Sequence, residues 1–100
     1  MKNGYKIKWT VHALNELKET FDYLEANWTE REMNKLGIEI EKTLKLISIN
    51  PELFPTIRKM KNVRRALVTK QNTLYYRTNN NITEVLSFFS NRKNPDKLKL

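Results

Sequence analysis

Six cations stand close together in one stretch of this chain: Arg58, Lys59, Lys61, Arg64, Arg65 and, one segment later, Arg77. Their side chains do oxyanion chemistry. An arginine fork holds a carboxylate or phosphate through two parallel hydrogen bonds, and a lysine adds a compact point charge. Residues 53 to 83 contain seven basic residues and no acid, so no neighbour in that stretch neutralises them. Eight of the eleven acids lie instead between Glu16 and Glu41. With a net charge of +8 over one hundred residues, the molecule is expected to be electrically lopsided. A basic face of this kind attracts nucleic acid, an acidic membrane surface or an acidic protein. It departs from the mixed-sign surface that merely keeps a protein in solution.

Other chemistries find few residues to use. The chain has no cysteine, which excludes disulfides, thiolate metal sites and a cysteine nucleophile, and fits a reducing cytosol. His12 is the only histidine. A zinc site would need carboxylates for most of its ligands, so His12 reads as a partly exposed helix residue and no metal or cofactor is expected. Only Gly4 and Gly37 occur, too few for a glycine-rich phosphate loop. The acids Glu16 and Glu19, and Glu39 and Glu41, read as solvated helix surface rather than as a hydrolytic pair. No apolar window reaches the roughly 20 residues of a membrane span, and the N-terminus has no apolar signal core. A cytoplasmic protein without membrane contact is expected.

The elements that must position the cations follow from periodicity. Tyr5, Ile7 and Trp9 alternate with Lys6 and Lys8, the period of a half-buried strand. Thr10 can cap a helix with an apolar stripe of Leu14, Leu17, Phe21, Leu24 and Trp28. Thr29 and Glu32 form a capping box for a second helix, whose stripe is Met33, Leu36, Ile40, Leu44 and Ile47 and which Asn50-Pro51 stops. Two such helices with a short link fold back as a hairpin. Residues 63 to 69 and 73 to 78 read as strands joined by a turn at Lys70-Gln71-Asn72. A second turn at Asn79-Asn80-Asn81 leads into a last strand, I-T-E-V-L-S-F-F. The fold class is α+β, in the order β-α-α-β-β-β, with a helical hairpin on an antiparallel sheet and one domain over 1–100. Tyr5, Trp9, Phe21, Trp28, Leu74, Tyr76, Leu86 and Phe88 are the expected core and core-edge positions.

Side chains alternate along a strand, so Arg64 and Arg65 must point to opposite faces of the sheet. One of them shares the helix face, where an ion pair with Glu39 or Glu41 competes with a binding role. The other lies on the open face. With Arg58, Lys59, Lys61, Arg77 and, in the tail, Arg92, they are the candidate partner-binding residues.

This element order, with V-R-R opening the second strand, L-Y-Y in the third and the ending N-R-K-N-P-D-K-L, resembles the RelE/ParE superfamily of toxins from bacterial type II toxin-antitoxin modules, over nearly the whole chain. The resemblance implies a cognate antitoxin with an acidic C-terminal segment as one partner, and a role of the kind that stabilises plasmids. Its RelE branch implies a ribosome-dependent endonuclease of messenger RNA. There the cations matched by position are Arg64 and Arg92, whereas Ala66 and Thr73 stand where that branch is basic. Leu98 falls near its aromatic acid-base residue. Arg64 and Arg92 supply charge but no proton transfer. The ParE branch, a non-catalytic poison of DNA gyrase, therefore fits better, with the ribonuclease acting on ribosome and mRNA as the alternative.

Overall fold

In the computed structural model, which describes residues 5–27, 30–91, 98 and 100, the alternation at the N-terminus forms strand β1 (Lys6–Trp9). Thr10 Oγ1 accepts the Ala13 amide hydrogen at 3.1 Å, the cap that starts helix α1 (Val11–Asn27). Helix α2 (Glu30–Ile49) opens with Glu30 and Glu32, whose charges suit the positive end of the helix dipole. Trp28 and the capping residue Thr29 lie outside the described residues. At the far end Asn50 turns the chain, its side-chain oxygen accepting the Glu52 amide at 3.2 Å.

Strands β2 (Val63–Thr69), β3 (Asn72–Asn79) and β4 (Ile82–Ser90) form the expected antiparallel meander. The first turn is shorter than read, with Asn72 paired to Thr69 and Lys70-Gln71 between them. In the second, Asn80 takes a left-handed φ of 58°, a conformation asparagine tolerates. The sheet order is β1-β4-β3-β2, and β1 runs parallel to β4. The α+β hairpin-on-sheet architecture holds, with a mixed rather than wholly antiparallel sheet. Periodicity identifies a strand but not its neighbour. The two inner strands, β4 and β3, both carry almost unbroken buried runs, over residues 85–90 and 72–76.

The core lies between the helical hairpin and one sheet face. Leu36, Ile40 and Ile47 of α2 meet Ala66, Leu74, Tyr76, Val85 and Phe88. Phe54 packs edge-on against Tyr76 at 6.5 Å, and Trp9 lies 6.4 Å from Phe88. The α2 stripe is as expected. The α1 face is rotated: Ala13, Glu16, Thr20 and Leu24 are buried, Leu17 and Phe21 sit at its margin, and Leu14 is 48% exposed.

The rotation corrects the reading of Glu16 as a surface acid. Its residue exposure is 6%. β1 pairs with β4 only as far as Val85, so the next stretch of β4 edge has no strand beside it. Side chains from the start of α1 satisfy it instead. Thr10 Oγ1 donates to the Leu86 carbonyl at 3.4 Å, and Glu16 Oε1 accepts the Phe88 amide at 2.9 Å and the Ser87 hydroxyl at 2.7 Å. A carboxylate thus replaces missing strand partners. The exposed His12 approaches the same oxygen to 3.4 Å.

Candidate functional site

Strand β2 divides its two arginines between faces. Arg64, Ala66 and Val68 face the helices, and Arg65 and Leu67 face away. Neither arginine pairs with Glu39 or Glu41. Glu39 lies 3.7 Å from Lys42 on its own helix. Arg64 is half-buried, and its Nη1 donates to the carbonyls of Phe54 at 2.7 Å and Glu52 at 3.4 Å. The guanidinium pins the loop of residues 51–62 along the outer edge of β2. That edge is also bonded by the amide of Arg65 to the Pro55 carbonyl and by the amide of Ile57 to the Val63 carbonyl, both at 2.9 Å. Replacing Arg64 by alanine is expected to cost about 2 kcal/mol, because hydrogen bonds to a charged group are lost at a part-buried site. Hydrogen exchange at the Ile57 and Arg65 amides should quicken well before the rest of the sheet.

The remaining candidates differ in what holds them. Arg65 is exposed and lies opposite Tyr75, with no hydrogen-bond or ion-pair partner for its side chain among the described residues. Leu67, two residues on, is 61% exposed. Arg77 is paired: its Nε and Nη2 both reach Glu84 Oε1 at 3.1 Å. Arg58, Lys59 and Lys61 are exposed in the loop before β2. Arg92 lies outside the described residues. The fold therefore gathers Arg65 and Arg77 on the open sheet face and the three loop cations beside β2, and it turns Arg64 inward. Among the described residues no cluster of three metal-ligating side chains occurs, and no helix is long and apolar enough to cross a membrane.

Two concavities flank this region. A polar cavity of about 520 Å³ lies where the end of α2, the start of β2 and the end of β3 meet, with Tyr5, Glu52, Lys61, Asn62, Arg64 and Asn80 in its wall. Beneath the loop of residues 51–62, Tyr76 is fully buried and its hydroxyl donates to the Pro51 carbonyl at 2.7 Å. Burial pushes the Tyr76 phenol up to about 12, partly opposed by the positive charge of Arg64. An unfolded tyrosine ionises near pH 10, so the unfolded chain loses this proton first as pH rises. Stability is then full below pH 10 and falls between about pH 10 and 12 by roughly 2–3 kcal/mol. In the Tyr76→Phe protein that component of alkaline unfolding should vanish, while stability at neutral pH drops by about 1–2 kcal/mol from the orphaned carbonyl.

At the other end, a groove of about 590 Å³ runs between the helices and the β2–β3 turn, floored by Leu24, Leu36 and Val68 and edged by Glu32, Lys35 and Lys70. Asn91 ties that turn to the end of β4, accepting the Thr73 hydroxyl at 3.1 Å and donating to the Lys70 carbonyl at 2.9 Å. Sequence reasoning missed Glu16, Tyr76 and Asn91 as positioning residues, since each acts across the chain rather than within a local pattern.

Comparison with known proteins agrees with this architecture. Among solved structures, a chain of the chromosomal ParDE toxin-antitoxin system of P. aeruginosa superposes with a TM-score of 0.71 at 15% identity, over 86% of this chain and 95% of that one. The YoeB dimer of Staphylococcus aureus gives 0.60 at 17% identity, covering 86% and 95%. A YoeB/ParE toxin of Agrobacterium tumefaciens gives 0.61 at 13% identity, covering 85% and 96%. At such identities the likeness is one of fold. No curated protein sequence matches the chain. The family pattern described as the ParE toxin of the type II toxin-antitoxin system parDE, however, matches residues 7–95. Because that match takes in both helices, strands β2 to β4, most of β1 and the cationic loop before β2, the chain belongs to the ParE toxin family of type II toxin-antitoxin systems.

Proposed function

We propose that this type II toxin acts by binding DNA gyrase without chemistry of its own, and that a cognate antitoxin with an acidic C-terminal segment neutralises it by covering the basic sheet face and the helical groove. The observation that carries the non-catalytic reading is the distribution of cations on β2 and β3. Ala66 is sealed in the core at 0% exposure, so a cation at that position would not meet RNA. Sliding the match by one residue moves the pair to the open face, at Arg65 and Leu67, and again only one is basic. Thr73 is buried and hydrogen-bonded to Asn91. His12 projects on the helical side, beside Glu16, away from Arg65. A nuclease needs a proton-transfer group and several cations together on one accessible face.

One observation favours the ribosome-dependent endonuclease as a second reading. Tyr75 is half-buried directly opposite Arg65, which places a phenol beside an unpaired guanidinium. Purified toxin tested in a gyrase supercoiling assay should inhibit the enzyme. In translation extracts, primer extension should show no new message ends. Codon-dependent cuts that disappear in the Tyr75→Phe protein would overturn the proposal in favour of the nuclease.

A further inference from the structure

We propose that the polar cavity at the start of β2 is an oxyanion subsite that takes a carboxylate group, with Arg64 as its fork and Lys61 as its second charge. The proposal rests on the reading of the partner as acidic and adds where, and through which atoms, one of its carboxylates is held. The reason lies in how Arg64 is used. A guanidinium has five N–H donors. Only Nη1 of Arg64 is engaged, by the Phe54 and Glu52 carbonyls. The opposite edge, made of Nε and Nη2, has no acceptor among the described residues. This same edge of Arg77 is filled by Glu84. Arg64 therefore presents an unused two-donor edge on a side chain already immobilised by its other end, at the wall of a cavity of about 520 Å³. Preorganisation of that kind removes much of the ordering cost of binding.

The wall around it selects the anion. Lys61 adds a cation with no ion-pair partner among the described residues, and Asn62 and Asn80 add carboxamide donors. Glu52 also lines the cavity, and α2 ends there with its carbonyls, the negative end of the helix dipole. Two cations against one carboxylate leave one unit of positive charge, which a singly charged carboxylate balances and a phosphate dianion exceeds. The planar carboxylate also matches the side edge of the fork.

The test is a titration of the ¹⁵N-labelled chain with acetate and, separately, with inorganic phosphate, followed by two-dimensional NMR. Acetate is expected to give saturable shifts at the Arg64 Nε–H and at the Asn62 and Asn80 side-chain amides, with no comparable shift around Lys42 on α2. The exposed substitution Lys61→Gln should weaken acetate binding about 3- to 10-fold, and Arg64→Lys, which keeps the charge but not the fork, about 10-fold or more. Shifts at these groups that do not saturate, or that match those around Lys42, would overturn the subsite. Phosphate binding about tenfold tighter than acetate would overturn the assignment to a carboxylate. The titration contains neither gyrase nor antitoxin, so its outcome is separate from that of the supercoiling assay: a saturable acetate signal from a chain that leaves supercoiling untouched retains the subsite and sinks the gyrase reading.

Discussion

Glu16→Ala is expected to lower the stability of this toxin by about 3–5 kcal/mol, a large share of the roughly 5–15 kcal/mol typical of a domain. The Glu16 carboxylate is the acceptor for the Phe88 amide and the Ser87 hydroxyl, both buried. Alanine leaves two donors unpaired and opens a void between α1 and β4. Each orphaned buried donor costs about 1–3 kcal/mol. Glutamine at this position keeps an acceptor oxygen and should cost only about 1 kcal/mol, the difference between a charged and a neutral acceptor. Urea unfolding monitored by tryptophan fluorescence, with the Glu16→Ala and Ser87→Ala double-mutant cycle, measures the coupling directly. An alanine variant within 1 kcal/mol of the parent, on that same scale of about 1–3 kcal/mol per donor, would mean that water replaces the carboxylate.

The second large effect concerns the open face. If the toxin acts on gyrase as proposed, Arg65→Glu is expected to weaken that inhibition about a hundredfold while leaving the unfolding transition almost unchanged. Arg65 is exposed and its side chain has no intrachain partner among the described residues, so the fold loses little when it changes. A cation in the centre of an interface contributes about 2–5 kcal/mol when its partner would otherwise be buried unpaired, and roughly 3 kcal/mol corresponds to a hundredfold. Reversal at Arg58, Lys59 or Lys61, on a loop at the rim, should act mostly on the association rate, by less than about tenfold, and fade as salt is raised. Arg77→Ala should be intermediate, because the side chain is already held by Glu84. Dose-response curves in the supercoiling assay, repeated at two salt concentrations, give this order. If Arg65→Glu retains full potency and a loop variant loses it, the open sheet face is not the contact surface.

Local chemistry by itself determines much about this protein. Alternating Lys6 to Trp9, the Thr10 cap, the α2 stripe and the asparagine turn at Asn80 are each written in neighbours a few residues apart, because capping, periodicity and turn geometry are short-range effects. The concentration of cations between residues 53 and 83 is likewise a property of order along the chain. Only the tertiary structure decided what depends on partners distant in sequence. It set β1 parallel to β4, and rotated α1 so that Leu14 faces solvent while Glu16 closes an edge beyond the end of β1. It turned Arg64 toward the carbonyls of its own loop and left Arg65 without a charge partner among the described residues. Alternation shows that two adjacent arginines must part. Which of them meets the core is settled by how the strand packs: Ala66 and Val68 lie in the core cluster with the helix residues, and alternation carries Arg64 to that same face.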